Sequence, residues 1–296
     1  MFEQVNKVEG YLSVGIIGCG WLGKALAISL LNKKHSVLGT SSKLENVEQL
    51  NQQSICAQKL LLPADTEQLA LHDVFTKQNL VIAITPQFKQ GRTDYADKIA
   101  QLVDAAQQRG LVQRIILLSS SAIYNGLAGN VDEDSVLCME AEKVQILNAA
   151  EQVVLNFPKQ DPEQDPEQDT KSGSRQGTVI RLAGLVGPER HPGKFILANK
   201  TLNNSTAPVN LIHQNDAIGL IESLLQVESP QGVFNGVSDT HVSKQMYYQV
   251  AAKTLKLPPP IFAQKNIIET TRVVSGEKAK KALNYQFVYP DLLDWL

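Results

Sequence analysis

The sequence has no excess of charge of either sign. Its 28 Lys and Arg residues nearly balance 30 Asp and Glu residues, and the formal net charge is −2 at pH 7. A chain with so little net charge has no general electrostatic attraction to nucleic acid or to an anionic membrane surface. We therefore expect neither as a partner, and any anion that the protein binds must be held by a local site.

Cysteine is scarce, and long apolar runs are missing. The three cysteines, Cys19, Cys56 and Cys138, show no paired spacing, which favours reduced thiols over a disulfide framework or a metal site. The first residues contain no apolar core of signal-peptide length, and no later run approaches the roughly 20 apolar residues of a membrane-spanning helix. These absences predict a soluble cytoplasmic protein without a bound metal.

Short apolar segments alternate with helical patterns from Leu12 onward. The candidate strands are residues 13–17, 36–39, 80–84, 114–118 and 178–182. This order is expected when helices cross between the parallel strands of one sheet. We predict an α/β fold with a doubly wound parallel sheet and a smaller C-terminal α/β lobe.

A glycine-rich turn, GCGWLG at residues 18–23, follows the first strand and opens a helical pattern. In this context the GxGxxG spacing indicates a Rossmann-type turn that binds a nicotinamide dinucleotide. Gly18 would permit the tight turn, Gly20 would let the backbone approach the diphosphate, and Gly23 would let the helix pack closely on the strand. Trp21 and Leu22 complete the predicted contacts of this turn. A turn that only links strand and helix is the alternative.

The end of the second strand carries hydroxyls and a lysine where NAD-preferring proteins usually carry Asp or Glu. The residues at this place are Thr40, Ser41, Ser42 and Lys43. No carboxylate would repel a 2′-phosphate here, and hydroxyls with a lysine could bind one. We therefore expect NADP(H) as the cofactor, with NAD(H) still open. An ordinary Ser-rich turn is the alternative.

Two domains are predicted, partly interleaved with each other. Residues 12–186 should form the NAD(P)-binding Rossmann domain, and residues 187–296 the smaller, substrate-side lobe. Within the first domain, residues 158–177 repeat Asp-Pro-Glu-Gln units with almost no apolar side chains to bury. Such a composition predicts a mobile surface insert. A partner-binding acidic motif is the alternative.

Several segments together resemble the NAD-dependent epimerase/dehydratase family, the extended short-chain dehydrogenase/reductases. They are IIGCGWLGKALA, LLSSSAIYNG, RLAGLVGPERHPGKF and VNLIHQNDAIGLI. They are most similar to an atypical bacterial subgroup with a GxGWLG turn and a Gly-Pro-x-Arg-His-Pro-Gly loop. The resemblance covers residues 12–296. It implies an oxidoreductase or an epimerase/dehydratase-like enzyme that acts on a small polar metabolite or a nucleotide sugar.

The catalytic residues that the resemblance implies are incomplete. Ser120 takes the place of the family's catalytic Ser or Thr, and its hydroxyl would position a substrate oxygen. The family's Tyr and Lys, four residues apart, are missing, since no Tyr in this sequence has a Lys four residues later. Tyr124 and Lys143 are the remaining candidates, although a packed Tyr and a solvated Lys are the usual cases. The mechanism would be atypical, and a non-catalytic NADP(H)-sensing module is the alternative.

The resemblance also implies two sets of binding residues. The first set, Thr85, Pro86 and Ser119, would lie beside the ribose and nicotinamide of the cofactor.

The sequence also leaves open whether the protein forms a homodimer.

The second set, Arg190, His191 and Lys194, lies on the predicted substrate loop and could hold an anionic group. A solvated basic loop is the alternative. Asp216 is expected to cap the helix that follows it, and His213 is expected to be structural.

Overall fold

The computed structural model describes residues 10–157, 175–196, 201–228, 230, 232–263 and 271–296. The strands in chain order are β1 (Ser13–Ile17), β2 (Ser36–Ser41), β3 (Ala57–Lys59), β4 (Asn79–Ile82), β5 (Arg114–Ser120), β6 (Gly129–Val131), β7 (Gln176–Leu182), β8 (Gly184–Val186), β9 (Leu211–His213), β10 (Gly232–Gly236) and β11 (Arg272–Val274). The α-helices are α1 (Trp21–Asn32), α2 (Leu44–Gln52), α3 (Thr66–Ala70), α4 (Tyr95–Arg109), α5 (Glu142–Leu155), α6 (Gln214–Gln226), α7 (Lys244–Thr254), α8 (Glu277–Ala282) and α9 (Leu292–Trp295).

A seven-stranded sheet has the order β10-β7-β5-β4-β1-β2-β3. The pairs β1–β2, β1–β4, β2–β3 and β4–β5 are parallel. Every residue of β4 is buried, and so is all of β1 after its first residue. Such continuous burial is typical of parallel strands that helices cover on both faces. The predicted Rossmann-type doubly wound sheet is therefore confirmed.

Five of the seven strands of this sheet were predicted, and their bounds differ mainly at the ends, whereas β3 and β10 were not predicted. The first strand has the predicted bounds, whereas β2 and β5 extend past the predicted ends, to Ser41 and Ser120. Strand β7 begins at Gln176, whose N–H donates to the Gln113 carbonyl at 2.9 Å. The last residues of the predicted insert, 176 and 177, therefore belong to this strand. Residues 158–174 of that insert lie outside the described residues.

The chain divides into two compact units, each built from separate segments. Unit 1 consists of Met1–Ser119, Gln145–Ile180 and Ile221–Val233, and unit 2 of Ser120–Val144, Arg181–Leu220 and Phe234–Leu296. Helix α1 shows how unit 1 is held together, because Leu22, Leu26 and Leu30 recur at helical spacing and are buried. On the other side of this helix, Ser29 and Lys33 both bond the Glu222 carboxylate at 2.7 Å.

In unit 2, β8 pairs in parallel with β9, and β11 pairs in parallel with β6. Asp216 lies inside the first turn of α6 rather than at the cap, so the predicted capping role is wrong. Its carboxylate instead accepts from the backbone N–H groups of Val288 and Tyr289, at 2.7 and 3.0 Å, and from the Tyr285 hydroxyl at 3.0 Å. These bonds fasten the last segment of the chain to α6.

Candidate functional site

In the glycine turn between β1 and α1, the reason why a side chain is absent differs from one glycine to the next. Gly18 has φ +101°, which lies in the region that side chains rarely adopt. A Cβ at Gly23 would lie 2.4 Å from the Gly18 carbonyl oxygen, so this contact between helix and turn excludes any side chain. A Cβ at Gly20 would meet nothing within 4 Å. The space in front of Gly20 is therefore open.

Thr40 at the end of β2 supports the turn from behind. Its hydroxyl accepts from the Gly18 N–H at 3.3 Å and donates to the Ile16 carbonyl at 3.4 Å. Its carbonyl accepts from the Cys19 N–H at 2.8 Å. The Thr40 side chain is buried, so its hydroxyl holds the turn in place. Burial also raises the pKa of the Cys19 thiol to about 11, and this thiol stays protonated at neutral pH.

A cleft of about 370 Å³ opens at the carboxyl ends of β1, β2, β3 and β4, which are neighbours in the sheet. Its lining residues are Ile17, Gly18, Cys19, Gly20, Thr40, Ser41, Ser42, Asn46, Leu60, Leu62, Ala83, Ile84, Thr85, Gln87, Arg92 and Lys98. Open α/β sheets bind ligands outside the carboxyl ends of their strands. The volume lies in the range of small-molecule sites, about 300–1,000 Å³.

The predicted cofactor residues fall into two groups. Gly18, Gly20, Thr40, Ser41, Ser42 and Thr85 line the cleft. Trp21, Leu22, Gly23, Lys43, Pro86 and Ser119 are not among its lining residues. Leu22 is buried on the core side of α1, and Lys43 immediately precedes α2 with its side chain exposed.

The Ser119 side chain is bonded to a buried carboxylate and does not line the cleft. Its hydroxyl donates to Glu151 Oε1 at 2.5 Å, and Glu151 on α5 is itself fully buried. The hydroxyl of Ser119 is therefore committed to an internal bond in unit 1. The predicted contact of Ser119 with the cofactor stays a prediction that this geometry does not favour.

Several lining residues were missed by the sequence reasoning. They are Asn46, Leu60, Leu62, Gln87, Arg92 and Lys98. They follow β3 and β4 or lie in α2 and α4, where no recurring motif marks them. The same search for basic residues after the predicted strand at residues 80–84 would have found Arg92.

In unit 2, Ser120 ends β5 and caps the short 3₁₀ helix Ser121–Tyr124. The Ser120 hydroxyl accepts from the Ala122 N–H at 3.2 Å, and Ser120 is only half-buried. Because this bond uses the oxygen as an acceptor, the hydroxyl hydrogen can still be donated. Ser120 can therefore both cap the helix and bond a substrate oxygen.

Tyr124 is fully buried within unit 2, and its hydroxyl has two partners. The hydroxyl donates to Asn235 Oδ1 at 2.9 Å and accepts from an Arg181 Nη1 hydrogen at 2.9 Å. Burial raises the pKa of the Tyr124 phenol. These contacts fit a structural phenol better than the predicted acid. Lys143, the other remaining candidate, is exposed on the first turn of α5.

The predicted substrate loop of unit 2 places a neutral imidazole among cations. His191 Nδ1 accepts from the Gly193 N–H at 3.1 Å, which leaves Nε2 as the protonated nitrogen. Burial and the charge of Lys194 lower the pKa of His191. Lys194 is exposed, and the backbone of Arg190 bridges to Gly187. This loop can offer an N–H donor and positive charge to an anion.

His213 on β9 is packed by aromatic rings. Its ring centroid lies 4.1 Å from that of Tyr289 and 4.8 Å from that of Trp295. Nδ1 accepts from the Asn215 N–H at 3.1 Å, and burial lowers the pKa of His213 to about 4. These contacts agree with the structural role predicted for it.

No group of three or more His, Cys, Asp or Glu side chains in the described part of the chain could hold a metal ion. Within the same residues, none of the helices combines the length and the apolar character needed to cross a membrane.

A parallel sheet with a glycine turn after its first strand, β1, defines the class of this protein as a Rossmann fold. Residues 13–112 match a family model described as NADP oxidoreductase, coenzyme F420-dependent. Over the whole chain the sequence is similar to Protein YeeZ of Escherichia coli (strain K12). The two are 29% identical over 286 residues, which cover 95% of this chain and 97% of the relative.

Solved structures show the same fold over nearly the whole chain. WbmG from Bordetella bronchiseptica, in complex with NAD and UDP, matches with a TM-score of 0.73 and 17% identity over 97% of this chain and 93% of that chain. UDP-glucuronic acid 4-epimerase from Bacillus cereus, in complex with NAD, matches with a TM-score of 0.71 and 15% identity over 95% of each chain. The predicted resemblance to the epimerase/dehydratase enzymes is confirmed for the fold.

Proposed function

We propose that unit 1 binds a nicotinamide dinucleotide in its cleft, with NADP(H) preferred over NAD(H). The observation that carries this proposal is the open space at Gly20, beside a turn that Gly18 and Thr40 hold in place. Backbone N–H groups at the start of α1 would contact the diphosphate there, and the positive end of the helix dipole would favour its charge. A binding site of this kind needs main chain that no side chain covers.

The other lining residues suit the rest of such a cofactor. Leu60 and Leu62 supply apolar surface for an adenine ring, and the hydroxyls of Ser41 and Ser42 can bond a ribose or its phosphate. Both of the solved structures named above were determined with NAD bound. The match of residues 13–112 to an NADP oxidoreductase model supports the same cofactor class.

We further propose that the protein is an oxidoreductase or an epimerase/dehydratase-like enzyme for a small polar metabolite or a nucleotide sugar. A bound nicotinamide supplies hydride transfer in such enzymes. Ser120 would donate its hydroxyl hydrogen to a substrate oxygen, and Arg190 and His191 would hold an anionic group of the substrate. Tyr124 would act by keeping Arg181 in place rather than by transferring a proton.

A second candidate is a module that binds NADP(H) and does not turn over a substrate. Two observations favour it: the Tyr and Lys spacing of the family is missing from the sequence, and the Tyr124 phenol is held by internal bonds. Consumption of NADPH with a panel of aldehydes, ketones and nucleotide sugars separates the two candidates. Turnover supports the enzyme, and binding without turnover across the panel supports the module.

Cofactor binding is tested by Gly20→Ala. The backbone of Gly20 is extended, with φ −77°, and an added methyl meets nothing in the free protein, so the variant should fold normally. The methyl would occupy the space of the diphosphate, and we expect affinity for NADPH to fall at least roughly tenfold in a calorimetric titration. Ile28→Ala, on the exposed side of the same helix, is the control. Unchanged affinity in Gly20→Ala would contradict the proposed site.

The role of Ser120 is tested once a substrate is found. Ser120→Ala should lower kcat/KM by roughly 10- to 100-fold, because it removes one hydrogen bond to the reacting substrate. Ser121→Ala, a neighbouring hydroxyl, is the matched control. Equal kcat/KM values for the wild type and Ser120→Ala would exclude a positioning role for this residue.

A further inference from the structure

The side chains that line the cleft of unit 1 carry positive charge and no negative charge. Arg92 and Lys98 are lining residues, and no Asp or Glu is among them. The chain as a whole has a net charge of −2, so the positive charge of the cleft is a local feature. The cleft is therefore suited to an anionic ligand through side chains as well as through the backbone of the glycine turn.

Asp94 links the two cations from a position outside the lining. Arg92 Nε donates to Asp94 Oδ1 at 3.0 Å, and Arg92 Nη2 donates to Oδ2. Lys98 Nζ donates to Asp94 Oδ1 at 3.2 Å. We call Arg92, Asp94 and Lys98 the Arg92 cluster. Its formal charge is positive, because one carboxylate is shared by two cations.

The Arg92 side chain, although paired with Asp94, still has N–H donors that Asp94 does not use. A guanidinium group has five N–H donors, and Asp94 accepts from two of its nitrogens, Nε and Nη2. Hydrogens on Nη1 remain for a ligand, and the Arg92 side chain is 42% exposed. The Arg92 bond and its charge hold the pKa of the Asp94 carboxyl well below its usual range, so the carboxylate that orients Arg92 is ionised at neutral pH.

The Arg92 cluster and the glycine turn lie on different elements. The turn follows β1 and presents main chain, whereas Arg92 follows β4 and Lys98 lies in α4. The main-chain N–H groups of the turn and the N-terminus of α1 are suited to a dinucleotide diphosphate. The group that NADP(H) adds to NAD(H) is a phosphate monoester of about −1.5 to −2 charge at pH 7, which arginine binds well. Lys43, the cation predicted for this phosphate, is not a lining residue.

We propose that Arg92, oriented by Asp94 and Lys98, binds the 2′-phosphate of NADP(H) and sets the preference of this protein for NADP(H). This inference rests on the proposed function, because it assigns one group of the proposed cofactor to one side chain. Arg92 is the binding residue, and Asp94 and Lys98 are positioning residues.

The test compares the affinities of NADP⁺ and NAD⁺ for the full-length protein by calorimetric titration. We expect the wild type to bind NADP⁺ more tightly. Arg92→Ala should weaken NADP⁺ binding roughly 10- to 100-fold and leave NAD⁺ binding unchanged, since charge-assisted hydrogen bonds to one phosphate are lost. Arg92→Lys should retain part of the preference, because it keeps the charge and loses the planar donors. Lys89→Ala, in the same loop and outside the lining, is the matched control.

The positioning residues have their own readout. Asp94→Asn should lower the ratio of NADP⁺ to NAD⁺ affinity by less than Arg92→Ala does, because Arg92 keeps its charge and loses its orientation. A merely structural role would weaken both nucleotides together. Urea unfolding of each variant shows whether the fold is retained.

The outcomes separate this inference from the proposed function. If Arg92→Ala weakens NADP⁺ and NAD⁺ equally, Arg92 binds a group that both share, and the 2′-phosphate assignment is overturned. An unchanged NADP⁺ affinity, or a wild type that prefers NAD⁺, overturns it as well while cofactor binding stands. If the wild type binds neither nucleotide, the proposed function itself fails, and this inference fails with it.

Discussion

The two units of this protein build their candidate sites from different material. In the cleft of unit 1, the place proposed for the diphosphate is main chain at Gly18 and Gly20, and Thr40 holds that main chain from behind. The candidate residues of unit 2 are side chains, and the Tyr124 hydroxyl is already bonded to its neighbours. A main-chain site is complete before a ligand arrives, whereas a side-chain site depends on which polar groups remain unpaired. Substitutions in the two units should therefore differ in what they damage.

The largest effect is expected at Gly23 in unit 1. Gly23→Ala would place a methyl 2.4 Å from the Gly18 carbonyl oxygen, and this backbone atom cannot move without opening the turn. We expect the free energy of unfolding to fall by about 2–4 kcal/mol, measured by urea denaturation. Gly20→Ala in the same turn is the control, with an expected loss below about 1 kcal/mol. Similar losses for both would show that the two glycines do not have the different roles described above.

The next effect is expected in the polar network of unit 2. Tyr124→Phe keeps the buried ring and removes the hydroxyl that Arg181 and Asn235 share. We expect a loss of about 1–3 kcal/mol of unfolding free energy, because a buried charged donor loses its acceptor. Tyr11→Phe, at an exposed ring, should change stability by less than about 0.5 kcal/mol. A negligible effect at Tyr124 would mean that water or neighbouring groups replace the hydroxyl.

The pH dependence of stability should report on His213 in unit 2. Burial lowers its pKa from 6.5 to about 4 in the folded protein. Between these values the unfolded chain takes up a proton that the folded protein does not, so stability is complete above pH 6.5 and falls as the pH drops toward 4. The loss should be on the order of 2 kcal/mol.

His213→Asn tests that assignment. Asn keeps an acceptor for the Asn215 N–H but does not titrate. The variant should be less stable at pH 7, because ring packing against Tyr289 and Trp295 is lost, and its stability should change less between pH 6.5 and 4. Urea unfolding at several pH values measures both. Identical pH profiles for variant and wild type would exclude His213 as the cause.

The smallest effect is expected at Thr40, behind the glycine turn of unit 1. Thr40→Val keeps the shape of the side chain and removes the hydroxyl that accepts from the Gly18 N–H. We expect a loss of about 1 kcal/mol of stability, the usual contribution of one hydrogen bond. NADPH affinity should also fall, because the turn is less well held. Ser42→Ala, an exposed hydroxyl, is the control for stability. A stable variant with unchanged affinity would show that Thr40 does not support the turn.

Local pattern was enough to predict five strands of the parallel sheet and the glycine turn, but not the strands β3 and β10. Strand β1 has the predicted bounds, and Gly18 and Gly23 meet the geometric demands expected of their positions. Both features are indicated by only a few neighbouring residues. A run of apolar residues indicates a buried strand, and a glycine indicates a positive φ or a close contact. The end of β2 was less informative, since Ser41 and Ser42 line the cleft but Lys43 does not.

Contacts between distant residues could not be predicted from local pattern. From the sequence, Asp216 was predicted to cap a helix. Its carboxylate instead accepts from the backbone N–H groups of Val288 and Tyr289, more than seventy residues later. No sequence motif near Tyr124 indicates that its hydroxyl bonds Arg181 and Asn235. Each of these side chains finds its partner only when the chain has folded, because the partner comes from another element.

The sequence by itself determined five strands of the sheet, the turn after its first strand and the glycines that keep this turn free of side chains. Those features depend on neighbouring residues, whose periodicity and size are visible without coordinates. Only the tertiary structure decided which side chains surround the turn. Arg92 and Lys98 reach the cleft because β4 lies beside β1 in the sheet, and this neighbourhood is a property of strand order rather than of any one segment.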